Sequence, residues 1–419
     1  MINMEFTTYR LQDICKVKSG KRLPAGSDFS NDVTPYPYIR ARDIKKGLIS
    51  SDSLAYISEE LHEKLKRYVI NEGDIALTIV ANIGDVGYCE KELDGVNLTE
   101  NAVRLTKFKK GIDTRYLTYY LSQPFAKSYM EGLAAGAAQA KLGIYKVNKI
   151  KVTLPDLNTQ QAINKLISNY DKLIDNNKKT IKLLEKTTEA IYREWFIRHR
   201  FPGYKNVRFV NGVPEGWEYK KFSDVCSYIR GLSYSSEQID SLDAPYLLIN
   251  LKNLRDYGGF RKENFKTYDG DFKKEQVVNK HDLVMAVTEM VQERRIIGYV
   301  GLVPTYSQKC VLSADLIKIK SNMDNLFLYS LFIYGGVSLC FSQYGNGTNV
   351  IHLKPTSLRN IKLLIPTQDL IDKYVESVRD YFELIDQLQL ENENLTIQRD
   401  SLLPRLMSGK LSVEGKEIV

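Results

Sequence analysis

Residues 148–155 read NKIKVTLP and residues 359–366 read RNIKLLIP, so a chain of 419 residues is written twice with an offset of 211. A period this long exceeds any stack of small repeats and implies a duplicated domain with internal pseudo-twofold symmetry. The same register aligns DTRYLTYYL, beginning at Asp113, with DNLFLYSLF, beginning at Asp324, and Cys15 with Cys226. VINEGDIAL from Val69 matches VVNKHDLVM from Val277 at an offset of 208. The changed offset locates an insertion: residues 74–84 span 10 positions where residues 282–298 span 16, so one loop is longer by six. Framework stretches such as residues 75–78 and 283–288 stay β-branched and apolar while the loops between them differ. That is the pattern of one scaffold carrying two sets of loops.

Each copy opens with mixed strand and turn signals, SGKRLPAGSDFSND and TPYPYIRARDI in the first and APYLLINLKNL in the second, which predict an α+β domain of short strands and few helices. Each closes at a proline, Pro155 or Pro366, and a long polar stretch with sparse apolar residues follows. In the first stretch Ile163, Ile167, Tyr170, Ile174, Asn177, Ile181, Leu184, Thr188, Ile191 and Trp195 alternate at spacings of four and three, a coiled-coil seam. The repeat offset carries it onto Tyr374, Val378, Tyr381, Ile385, Leu388, Asn392, Leu395, Arg399, Leu402 and Leu406. Asn177 and Asn392 interrupt the two seams at positions that are not repeat-equivalent. An antiparallel pairing with Asn177 opposite Asn392 gives every seam residue a seam partner, from Ile163 with Leu406 to Trp195 with Tyr374. A buried amide layer of this kind penalises slipped registers. The expected fold class is therefore α+β, with two repeated domains, each followed by a long helix, and the two helices pairing as an antiparallel coiled coil. The expected boundaries are a first domain at 1–155, a spacer helix at 156–200, a linker at 201–216, a second domain at 217–365, a second spacer helix at 366–408 and a tail at 409–419. A helix of that size would be about 65 Å long at 1.5 Å per residue.

Composition narrows the chemistry. Lys and Arg outnumber Asp and Glu by 59 to 51, giving a pI near 8.9, a balance that favours a polyanionic partner. The 27 tyrosines exceed Phe and Trp together and suit contact with bases or partner chains. No apolar run approaches the roughly 20 residues of a membrane-spanning helix, and the opening MINMEFTTYRLQD lacks the order of an export signal. Five scattered cysteines without a CxxC pair, and four histidines that do not cluster with them, argue against a metal site and for the reducing cytoplasm. The chain has no Pro-Pro dipeptide, hence no Asn/Asp-Pro-Pro-Tyr/Phe signature of an amino-methyltransferase, and no phosphate loop for ATP. These absences argue against the chain being itself a modification enzyme or a nuclease.

Three segments carry a resemblance: LPDLNTQQAINKLISNYDKLID after the first domain, REWFIRHRFPGYKNVRFVNGVPEGWEYKKFSDV between the domains, and LLPRLMSGKLSV near the end. In order, spacing and coverage of nearly the whole chain they resemble the specificity subunits of type I restriction-modification enzymes. The resemblance implies a non-catalytic subunit whose two domains are target-recognition domains reading a bipartite site in double-stranded DNA. It implies as partners two methyltransferase subunits, which methylate adenine at N6, and a restriction subunit that translocates DNA, with no membrane partner. No cofactor is expected on this chain; S-adenosylmethionine, ATP and Mg are expected on the partner subunits. Two readers on long spacers suit half-sites about one turn of duplex apart, roughly 34 Å. A stand-alone regulator reading a twofold operator is the competing reading, and it would need no partner subunits.

Base reading needs donors and acceptors that bracket a base edge, and phosphate contact needs basic or hydroxyl groups, both presented on loops. In the first domain the candidates are Lys18, Lys21, Arg22, Arg40, Arg42, Asn82, Gln139, Lys141, Tyr145 and Lys146. In the second they are Arg230, Asn250, Lys252, Asn253, Glu289, Gln292, Arg294, Arg295, Asn346, Thr348, Asn349, His352 and Lys354. The strongest clusters are the glycine-rich loops GAAQAK and GNGTNVIH, at matching places before each closing strand, and the run from Glu289 to Arg295 in the loop that is longer by six. There a carboxylate and two guanidiniums are close enough in sequence to serve one short base tract.

Overall fold

A computed structural model describes residues 6–51, 54–135, 140–241, 243–263, 265–411 and 413. The chain divides into two compact units, one formed by Met1–Leu173 with Leu395–Val419 and the other by Ile174–Asn394. Each unit holds most of one sequence copy together with segments of both long helices.

The first unit is built on a six-stranded sheet in the order Lys16–Ser19, Ala102–Thr106, Ile75–Thr78, Val86–Tyr88, Gly47–Ile49, Ile44–Lys45. A four-stranded sheet follows the order Ala55–Tyr56, Pro37–Ile39, Val96–Leu98, Val69–Ile70. Thr7–Arg10 pairs antiparallel with the closing strand Lys151–Leu154. The second unit repeats the framework: Cys226–Arg230, Leu316–Ser321, Leu283–Ala286, Val300–Leu302 in one sheet, and Lys266–Tyr268, Tyr246–Ile249, Lys309–Leu312, Val277–Val278 in the other. Its outer pair joins Glu218–Lys221 to Lys362–Ile365. Thr7 faces Leu154 in the first pair and Glu218 faces Ile365 in the second, so the 211-residue offset holds residue by residue in the ladders. The central strands IALT and LVMA are buried along their whole length, as continuous apolar strands covered on both faces must be.

Local rules explain the shared helices. Asp113 caps Thr114–Leu121 by accepting from the Tyr116 amide, and Asp324 caps Asn325–Ile333 by accepting from the Leu326 amide, so both orphan helix ends are satisfied by the repeat-equivalent aspartate. Gly20 and Gly231 also correspond. A Cβ on Gly20 would lie 2.0 Å from the Thr99 carbonyl oxygen, and one on Gly231 would lie 1.9 Å from that of Ser313, so backbone crosses backbone where only glycine fits.

The long helices run Leu157–Tyr192, continued by a π-helical turn Arg193–Ile197, and Gln368–Met407. All twenty seam residues are buried or half-buried, while Leu173, Leu183, Leu384, Leu390 and Ile397 lie off the seam and are exposed. In the first unit Ile163 and Ile167, near the start of the first helix, share a core with Leu403 and Leu406 near the end of the second. There Asp171 accepts from Arg399 at 2.7 Å and from the Tyr119 hydroxyl at 2.5 Å. In the second unit the Trp195 and Tyr374 rings meet edge-on at 5.8 Å, joining the end of the first helix to the start of the second. The helices therefore pack antiparallel. At the expected polar layer, Asn177 Nδ2 donates to the carboxylate of Glu391, the residue before Asn392, at 3.1 Å.

Candidate nucleic-acid interface

In the second unit a short ladder, Thr288–Glu289 with Ile351–His352, brings the inserted loop against the glycine-rich loop before the closing strand. Gln292 Nε2 donates to the Thr348 carbonyl at 2.6 Å, Asn346 and His352 exchange backbone hydrogen bonds at 2.9 Å each, and the Thr288 hydroxyl and His352 Nδ1 lie 3.5 Å apart. The Tyr257 amide donates to the Arg295 carbonyl at 2.6 Å, which adds the loop around Lys252 to the same neighbourhood. Exposed on this surface are Lys252, Gln292, Arg295, Asn346, Thr348, Asn349, His352 and Lys354.

Several expected readers are instead the internal ties of these loops. The Glu289 side chain is buried and accepts the amides of Arg295, Ile296 and Ile297 at 2.7, 3.2 and 3.0 Å, so it anchors the inserted loop from within. The Arg294 guanidinium donates to the carbonyls of Ser342, Gln343 and Gly345 at 3.4, 3.3 and 3.2 Å, satisfying orphan carbonyls past the end of Val337–Ser342. Asn250 and Asn253 are buried in one turn: the Asn250 amide donates to Asn253 Oδ1 at 2.9 Å, and Asn253 Nδ2 donates to the carbonyls of Arg261 and Glu263. Arg230 ends the strand Cys226–Arg230, exposed, its carbonyl accepting from Gln276.

The first unit makes the same turn with different residues. The Arg40 amide donates to Asp43 Oδ2 at 2.8 Å, and the Arg40 guanidinium donates to both oxygens of that buried carboxylate, so Arg40 is tied inward as Asn250 is. Arg42 and Lys252 are the repeat-equivalent residues on these two turns, and both are exposed. The loop at Ala81 and Asn82 is joined to the preceding strand by the Thr78 hydroxyl, which donates to the Asn82 carbonyl and accepts from the Asp85 amide at 3.0 Å. Asp85 in turn accepts from Lys127 at 2.6 Å. A bridge between Val80 and Lys141 sets this loop beside the one before the closing strand, the juxtaposition seen in the second unit. Gln139 lies outside the described residues. Lys18, Lys21, Arg22, Asn82, Lys141 and Tyr145 are exposed, whereas Lys146 Nζ donates to the Leu133 carbonyl at 2.6 Å and closes off a helix end.

Met290 and Val291, 67% and 47% exposed in the inserted loop, are not among the expected readers, since a polar pattern does not mark apolar contact residues. Burial pushes the thiols of Cys15, Cys89 and Cys310 up to about 12 and that of Cys226 to about 11, so these four are unreactive packing groups. Among the described residues no cluster of His, Cys, Asp or Glu could hold a metal ion, and no helix is long and apolar enough to cross a membrane.

The family model described as type I restriction modification DNA specificity domain matches residues 3–186 and again 214–394, two matches that begin 211 residues apart. The type I restriction enzyme MjaIX specificity subunit of Methanocaldococcus jannaschii is 26% identical over 420 aligned positions, covering 96% of this chain and 94% of the relative. The MjaVIII specificity subunit of the same organism is 24% identical over 425 positions, covering 98% and 94%. Among solved structures, the crystal structure of a type-I restriction-modification system S subunit from M. genitalium covers 97% of each chain at 14% identity with a TM-score of 0.57, a likeness of fold.

Proposed function

Because the chain belongs to the family of type I restriction modification DNA specificity proteins, we propose that its two units each read one half of a split target in double-stranded DNA while the paired long helices position methyltransferase and restriction subunits. The chain is a recognition subunit and not an enzyme. S-adenosylmethionine, ATP and Mg belong, in this reading, to the partner subunits.

One observation carries the proposal. The same loop pair recurs on the same framework in both units, held by the Val80–Lys141 bridge in the first and by the Thr288–Glu289 ladder with Ile351–His352 in the second, yet the two loop sets differ in length and in side chains. A shared scaffold with unlike loops is what two readers of two different sequences require. Arg42 and Lys252, exposed at matching positions, support phosphate contact alike in both halves in this reading.

The test is a map of N6-methyladenine in the host genome with and without this chain. The proposal expects methylation at one split motif to vanish when the chain is removed; methylation that persists at every motif would end it.

A further inference from the structure

The inserted loop of the second unit is held at its base and exposes an apolar pair directly after Glu289. Glu289 ties the backbone at residues 295–297, Arg294 ties it to the carbonyls of residues 342–345, and Gln292 ties it to Thr348. Arg294 takes a left-handed backbone at φ 53°, which closes the turn. A loop so fixed cannot fold Met290 and Val291 back into the core, and they stand 67% and 47% exposed.

Their neighbours say what covers them. Gln292, Arg295, Asn346 and His352 are exposed hydrogen-bonding side chains on the same loops, Arg295 half-exposed and 3.6 Å from Asp256 and 3.9 Å from Glu293; the apolar group that the major groove presents to such side chains is the thymine 5-methyl. The position within the fold favours the same occupant. Met290 and Val291 sit in the six-residue insertion that the first copy lacks. A surface for a partner subunit bound alike by both copies would be repeated, whereas a surface for one half of the target would not.

Resting on the proposed function, we propose that Met290 and Val291 read a thymine methyl group in the half-site of the second unit. Together with Gln292 and Arg295 they make a mixed apolar and polar reader, so that this half-site contains thymine beside the bases those two side chains contact.

The test uses the full-length chain in the complex it forms in its host and the duplex target found by methylation mapping, with each thymine replaced singly by deoxyuridine. Removing one methyl at the position read should weaken binding by about fourfold, the worth of one buried methyl group. The variant Met290→Ala or Val291→Ala should lose that discrimination, binding the thymine and deoxyuridine duplexes alike. The thymine-to-deoxyuridine series on the unaltered protein needs no variant to fold. Equal binding of every deoxyuridine duplex by the unaltered protein would overturn the inference while leaving the proposed function standing. So would variants that weaken all duplexes equally or that release a partner subunit without touching DNA affinity. If no duplex sequence is preferred at all, the proposed function fails and the inference falls with it.

Discussion

Replacing Glu289 by Gln keeps the size of the side chain and removes its charge. The carboxylate is 1% exposed, with Oε1 accepting from the Arg295 amide and Oε2 from those of Ile296 and Ile297. Whichever way the new amide turns, its NH2 end faces at least one backbone N–H, so one or two hydrogen bonds are lost and the remainder go to a neutral acceptor. Hydrogen bonds to charged groups contribute about 1.5–3 kcal/mol each, which puts the loss at about 2–4 kcal/mol, concentrated in this loop. At tenfold per 1.4 kcal/mol, hydrogen exchange at the amides of residues 295–297 should accelerate by roughly 30- to 700-fold. The strands of the first unit should keep their protection. Recognition should loosen in one half of the target only. Unchanged protection at residues 295–297 together with an altered base preference would refute the reasoning, since Glu289 would then be a reader and not an anchor.

The two neighbouring arginines should separate: Arg294→Ala should lower the stability of the second unit by about 1.5–3 kcal/mol, while Arg295→Ala should leave denaturation midpoints nearly unchanged and cost about 1–3 kcal/mol of discrimination at a single base. Binding measured across a set of single-base variants of the target distinguishes the two. Gly20→Ala and Gly231→Ala should each destabilise their own unit by at least about 3 kcal/mol, because a Cβ cannot approach a carbonyl oxygen to 2 Å without backbone movement; thermal unfolding would show it, and normal midpoints would contradict the packing. Burial, reinforced by Lys280, holds the His281 imidazole below its ordinary 6.5 against the pull of Glu383, Asp386 and Asp324. The unfolded chain then takes up the proton first, so the stability of the second unit should be full above pH 6.5 and decline as pH falls through that value. His281→Gln should flatten the slope between pH 7.5 and 6, read from denaturant midpoints, and an unaltered slope would assign the effect elsewhere.

The framework was legible because it obeys long-range periodicities. The 211-residue offset located strands that pair in the same register in both units, and the four-three spacing separated seam residues such as Ile163 and Tyr374 from exposed off-seam leucines such as Leu183. The matched segments beginning at Asp113 and Asp324 became matching helices, each capped by its aspartate. In the candidate interface, sequence separates loops from framework but does not say which loop side chains point outward. Glu289, Arg294, Arg40, Asn250 and Asn253 are polar and lie in loops, but a loop must also satisfy its own backbone, and sequence does not say which polar side chain turns inward to do so. Part of the signal was present: Arg40 with Asp43 and Asn250 with Asn253 are repeat-equivalent pairs three residues apart, the spacing of a capped turn. Met290 and Val291 carry no such signal, since apolar residues in a loop read as packing until the structure exposes them.

If two units read two half-sites independently, exchanging one unit changes one half of the target. Residues 1–155 are replaced by the corresponding segment of a relative with a different target, and N6-methyladenine is mapped in cells that carry the hybrid. A split motif with one half new and the other half unchanged is the predicted result; a motif altered in both halves, or unaltered in both, would contradict the account.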